Sequence, residues 1–247
     1  MSLTCTTKGS MNFISVILFA ACVLLVTGNA VFAYPYLMLD ANPVTYVSGT
    51  EESIVTTSMM FTTYALVNSK KKAFDLNGDF YLSVSIVPQL PQTDPLPDIG
   101  SFVFDGVVID IASGMLYGNP PAEVELKNKD LPGHGMFNTY YWEHKFKLGP
   151  EFKTTALYNS QDNPGGPGPI VADGPLYYKA FEFDASGLVS GNNLHIDLYT
   201  LTTKKGELVI GDFAPFSHDV LTSPAPGAVL LGMLGLGVAG LKLRKFA

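Results

Sequence analysis

Between Tyr34 and Thr222 the hydrophobic pattern of this chain has period two rather than 3.6, and no helical period runs longer than two turns. Phe80, Leu82, Val84 and Ile86 alternate with Tyr81, Ser83 and Ser85. Leu194, Ile196 and Leu198 alternate with His195, Asp197 and Tyr199. Phe181 and Phe183 flank Glu182, and Phe102 and Phe104 flank Val103. A pleated strand sends successive side chains to opposite faces, so runs of this kind give one dry face and one wet face. Pro and Gly punctuate the gaps at 88–97, 120–121, 132–133 and 164–175. Short strands between turn signals predict an all-β fold, an antiparallel β-sandwich of jelly-roll or Ig-like type. The expected strands cover 36–39, 59–67, 80–87, 101–111, 137–148, 177–184, 194–201 and 208–210. Residues 161–175 are too rich in Pro for a strand and are expected as a long ordered loop.

The two cysteines, Cys5 and Cys22, both precede this region. It therefore has no disulfide and no thiol nucleophile, and its stability must come from its core. Residues 34–222 suffice for one well-buried domain and are few for two. All 22 Asp and Glu fall between Asp40 and Asp219, whereas Lys8, Lys242, Arg244 and Lys245 lie outside this region. The domain thus sets eleven lysines, and no arginine, against 22 carboxylates, a net charge of −11. That balance argues against nucleic acid as a partner, because phosphates demand a basic face. An acidic surface suits an extracellular protein and leaves calcium as the one cofactor to weigh; otherwise none is expected.

The two ends carry addresses. Lys8 precedes an apolar segment, 13–26, and Val31-Phe32-Ala33 then offers a small-x-small cleavage site. These are the length and flanks of a secretory signal peptide, 1–33, cut after Ala33 or, alternatively, after Ala30. At the other end, 223–247, a Ser-Pro-Ala-Pro-Gly turn leads into an apolar run, 228–241, and then Lys242, Arg244 and Lys245. As a hydrophobic helix that run would reach about 21 Å, against about 30 Å of bilayer hydrocarbon. Four glycines loosen it further. A short stop with a cytoplasmic basic lock is the physics of a transient membrane anchor.

This tail resembles the PEP-CTERM sorting signal of bacteria with an outer membrane, which a membrane protease-transpeptidase, exosortase, recognises. Pro224, Ala225 and Pro226 stand in the motif's place, with Ala where the family has Glu. The resemblance implies an exosortase-type partner, transient inner-membrane anchoring, and a final place at the cell surface, outer membrane or extracellular matrix. An ordinary C-terminal membrane anchor is the alternative.

Four stretches stand out from the strand pattern. Asp75, Asn77 and Asp79 alternate as in the start of a calcium loop, but Phe80 and Ile86 occupy the positions that need Gly and Glu. A plain turn at Asn77-Gly78 is expected instead. Three other stretches are candidate ligand loops: His134 between glycines in 131–137, Asp162 and Asn163 in 161–167, and His218 and Asp219 in 212–219. Two histidines and two carboxylates would suit a metal, yet no paired-ligand spacing is present. Capping of turns and of buried loop backbone is the favoured role, and no metal site is expected. Together with 63–67 and 195–199, these three loops resemble the exported choice-of-anchor N family. That resemblance implies surface placement and assigns no activity.

No catalytic motif is present. Ser217-His218-Asp219 has the letters of a triad, but adjacent residues on an extended chain point apart. Glu182 and Asp184 are a carboxylate pair of the kind a glycosidase uses, and their i, i+2 spacing places them on the strand face opposite Phe181 and Phe183. A solvated face is the expectation. Tyr140-Tyr141-Trp142 and Tyr177-Tyr178 offer aromatic rings for sugars or for packing. The sequence thus favours a non-catalytic surface protein, structural or binding a glycan or partner, with extracellular polysaccharide as the surrounding matrix. A polysaccharide-active enzyme is the alternative.

Overall fold

A computed structural model describes residues 34–47, 53–93, 98–121, 138–149, 152–215 and 220–222, all within the compact unit that begins at Tyr34. The fold is all-β. Its elements are β1 (Leu37–Asn42), β2 (Thr45–Val47), β3 (Ser53–Thr56), β4 (Met60–Asn68), β5 (Phe80–Val87), β6 (Ser101–Phe104) and β7 (Val107–Asp110). A single helical turn, α1 (Ile111–Gly114), follows, capped by the Asp110 carboxylate on the Ser113 N–H. Then come β8 (Leu116–Gly118), β9 (Thr139–Phe146), β10 (Lys153–Thr155), β11 (Leu176–Asp184), β12 (Asn193–Lys204), β13 (Glu207–Phe213) and β14 (Val220–Thr222).

These strands form two sheets. The six-stranded sheet has the order β1-β4-β11-β6-β7, with β10 added to β11. The eight-stranded sheet has the order β2-β3-β14-β12-β5-β9-β8, with β13 added to β12. All pairs are antiparallel except β3 with β14. Alternation builds the core directly. Leu37, Leu39 and Phe181 of the first sheet share one buried cluster with Leu82, Ile86 and Ile196 of the second. Burying each such side chain contributes roughly 2 kcal/mol. The half-buried His144 ring borders this core, stacked on Phe146, tilted against Phe104 and edge-on to Phe181, and burial pushes its imidazole below the usual range.

Several expectations need correction. The run 101–111 is two strands, not one, because Asp105 and Gly106 take φ of 46° and 80° and turn the chain back. Asn77-Gly78 does lie in a turn, closed by Gly78 N–H on the Asp75 carbonyl at 2.9 Å. It joins β4 to β5 across sheets, and β5 pairs with β9 and β12. His195, Asp197 and Tyr199 alternate with the core as expected, yet their face is not wet: they are 3%, 6% and 0% exposed. The signal segment 1–33 and the tail 223–247, with the hydrophobic helix expected there, lie outside the described residues.

Candidate functional site

The outward face of the six-stranded sheet is divided in two. In β1, Leu37, Leu39 and Ala41 point into the core, which turns Met38, Asp40 and Asn42 outward. Asp40 pairs across the sheet with Tyr64, and Asn42 with Thr62. Residues 156–175 run over the first half as a strap. Met38, Leu66, Leu176 and Tyr178 form a second small apolar cluster there, against which Leu157 and Tyr158 pack.

Asp40 rivets this strap. Its carboxylate is fully buried and accepts four hydrogen bonds. The Ala41 and Gly165 N–H groups donate to Oδ1 at 2.7 and 3.0 Å, and the Gly166 N–H and Tyr158 hydroxyl donate to Oδ2 at 3.0 and 2.9 Å. Burial nevertheless dominates and pushes the carboxyl above its ordinary range, with the four donors pulling the other way. Gly166 has no alternative: its φ is +97°, and a Cβ would sit 2.8 Å from the Tyr64 ring. Gln161 adds a bond from its amide nitrogen to the Tyr46 hydroxyl at 2.6 Å.

The candidate loop 161–167 therefore acts through its backbone. The side chains of Asp162 and Asn163 are exposed, while both residues' N–H groups bond the Asn159 carbonyl. His134, His218 and Asp219 lie outside the described residues, as do Ala33, Pro224, Ala225, Pro226, Lys242, Arg244 and Lys245. Among the described residues no group of three His, Cys, Asp or Glu side chains is placed to hold a metal.

Beyond the strap, the same face opens into a groove of about 460 Å³. Asn42, Met60, Thr62, Val103, Glu182 and Asp184 line it. Their placement follows from register: Glu182 lies opposite Thr62, and Asp184 opposite Met60. Phe181 and Phe183 point the other way into the core, as the alternation requires. The Asp105-Gly106 turn grips this edge, donating from Asp105 N–H to the Glu182 carbonyl at 2.9 Å and accepting the Glu182 N–H at 2.7 Å. The Ser186 hydroxyl and N–H hold Asp184 below the usual carboxylate range. No lysine lines the groove.

The aromatic stretches are spent mostly on packing. Tyr140 and Tyr178 are buried, Trp142 packs edge-on against Phe102 and Phe104, and Tyr177 against Phe74. Sequence reasoning missed Asp40; its signal was a lone acid after the apolar Leu37-Met38-Leu39. It also missed the buried pair His195 Nε2 and Asp197 Oδ1, 3.1 Å apart, and the Tyr199 hydroxyl on Glu143. No family model, curated protein or solved structure matches this chain.

Proposed function

We propose that this is an exported, non-catalytic bacterial surface or matrix protein, a β-sandwich of jelly-roll or Ig-like type whose open groove binds a neutral glycan. The groove is the observation that carries this reading. It sets an amide, a hydroxyl and two carboxylates around the thioether of Met60, which is 66% exposed. Sugar hydroxyls are met by such a mixture of donors and acceptors, and an apolar ring face by Met60. Glu182 is exposed and Asp184 half-buried on an open strand face, which suits hydrogen bonding to sugar hydroxyls.

Sorting is part of the same proposal. The tail's resemblance to the PEP-CTERM signal supports delivery by an exosortase-type enzyme, followed by loss of the apolar run. A glycan array probed with the full-length protein tests the groove. Binding to neutral oligosaccharides, weakened tenfold or more by Glu182→Ala or Thr62→Ala, is the expected result. An array without hits, or hits that both variants retain, would remove the glycan. Mass spectrometry of the protein from its native host tests the sorting, with a C-terminus near Pro226 expected. An intact tail ending at Ala247 would leave a plain anchor.

A further inference from the structure

The nine lysines among the described residues all gather at one end of the strands. Lys70, Lys71 and Lys72 follow the last residue of β4, Asn68, which pairs with the first residue of β11, Leu176. Lys153, in β10, pairs with Tyr178 near that same end. In the other sheet, Phe80 at the start of β5 lies between Phe146 of β9 and Thr200 of β12. Lys145, Lys147, Lys204 and Lys205 therefore belong to this end as well. Lys179, three residues into β11, reaches back to it, with its Nζ 3.5 Å from the Lys147 carbonyl. All but Lys179 are exposed.

Local carboxylates do not cancel this charge. Asp75, Asp79, Glu143, Asp173, Glu207 and Asp212 are the six described there, against nine lysines. Asp212 takes Lys72 at 2.6 Å, and Asp79 takes Lys145 and Lys147 at 2.6 and 3.8 Å. The opposite end, where Asp105, Glu182 and Asp184 sit, has no lysine among the described residues. A nine-residue strand such as β11 spans about 30 Å, several times the Debye length of about 8 Å at physiological salt. The acidic end is thus screened from the basic one, and a domain of strongly negative net charge still presents a cationic cap.

We infer that this end docks a carboxylate-bearing polysaccharide. Its charges are ammonium groups without a guanidinium among them, separate point charges set out over the whole end, which match a chain of spaced carboxylates one by one. Its orientation favours a polymer over a bilayer. Thr222, after which the chain continues toward its apolar tail, accepts the Leu194 N–H at 2.6 Å, at the opposite end of β12. The cap faces away from the root of that tail. The site is separate from the groove and does not depend on it.

Retention of the full-length protein, in neutral detergent, on immobilised polyguluronate and on neutral dextran tests the assignment. Binding to the polyuronate alone is expected, with loss of tenfold or more as NaCl rises from about 50 to about 500 mM, over which the Debye length falls from about 14 to about 4 Å. The variant Lys70→Glu/Lys71→Glu/Lys204→Glu/Lys205→Glu should lose binding tenfold or more at an unchanged melting temperature, while Glu182→Ala keeps it. If the fourfold variant is unstable, Lys204→Gln/Lys205→Gln should still weaken retention severalfold. Equal retention on dextran, or binding indifferent to the lysine changes, would overturn the inference. So would displacement by free glycerophosphoglycerol, a lipid headgroup, at the same charge concentration as by oligouronate.

Discussion

Each sheet buries one carboxylate on its outward face, and the two are treated differently. Asp40, on the six-stranded sheet, has four donors shared between its two oxygens. Asp197, on the eight-stranded sheet, has His195 on Oδ1 and, among the described residues, no partner on Oδ2. Ser83 and Ser85, directly across on β5 from Asp197 and His195, are also buried, with hydroxyls that have no partner among the described residues. The cause lies in the backbone. In an interior strand such as β12 the N–H groups are committed sideways to the ladder, so only side chains remain to serve a buried oxygen, and serine is short; β1 is an edge strand, whose Ala41 N–H can turn to Asp40. The strap over Asp40 is irregular chain, free to aim two successive N–H groups at one carboxylate. A buried polar group left unpaired costs about 1–3 kcal/mol, so the two faces should respond to mutation in opposite ways.

The largest effect is expected at Asp40. Asp40→Ala leaves the Gly165 and Gly166 N–H groups and the Tyr158 hydroxyl without their acceptor, and should cost about 4 kcal/mol in urea unfolding. A loss below about 1 kcal/mol would mean that the rivet matters no more than the other face. Next comes the strap itself. Gly166→Ala meets both a positive φ and the Tyr64 ring and should cost about 2 kcal/mol. Gly165→Ala meets the positive φ alone, with nothing within 4 Å of its Cβ, and should cost less. Equal costs would assign the whole effect to the backbone.

A pH titration gives a smaller signal of known sign. Burial raises the Asp40 carboxyl in the folded state, so the folded protein holds this proton more tightly than the unfolded chain does. Its contribution to stability is then greatest below the unfolded pKa, near 4, and is lost as pH rises through the folded value. Tyr158 is the one partner that can turn to accept the added proton, since the other three are N–H donors. Tyr64 and Tyr178 lie close by, and no cation faces the site among the described residues. The stability of the wild type relative to Asp40→Asn should therefore increase on acidification toward pH 4. A difference that is flat with pH would show the carboxylate to be solvated.

The smallest effects are expected on the opposite face. Ser83→Ala and Ser85→Ala remove hydroxyls that make no hydrogen bond among the described residues, and each should be neutral or stabilising by up to about 1 kcal/mol. A loss above about 1 kcal/mol would reveal a partner for these groups and erase the contrast with Asp40. A chelator should leave the melting temperature unchanged. A clear drop would place a cation among the domain's carboxylates, with the Asp197 side the first place to look.

Much of the fold was legible because its long strands are amphipathic. β4, β5, β9, β11 and β12 are each eight residues or longer, enough for the period of the pleat to register, most cleanly at Phe80, Leu82, Val84 and Ile86 of β5. β2, β3, β8, β10 and β14 have three or four residues each, too few for a period to register. The break between β6 and β7 is written in Asp105-Gly106, but the apolar residues on either side of it read as one run. Of the candidate site, the pairing of Glu182 with Asp184 on one face was legible from their spacing. The groove was not, because Asn42, Thr62 and Val103 join it only through strand pairing.

Local pattern therefore determined the all-β class, the inward positions of each long strand and the turns between them. These follow from the two-residue period of the pleat and from the φ preferences of Gly and Pro, which act within a few residues. Tertiary structure alone decided which sheet each strand joined, which polar residues were buried, and where charges met. Gly165 and Asp40 are 125 residues apart, yet share a hydrogen bond. Lys70–Lys72 and Lys204–Lys205 read in the sequence as two separate basic turns. They reach one end because the antiparallel ladders bring the finish of β4 beside the start of β11, and the start of β5 beside the later part of β12. Register and strand order arise from the whole core packing at once, and no short window of sequence contains them.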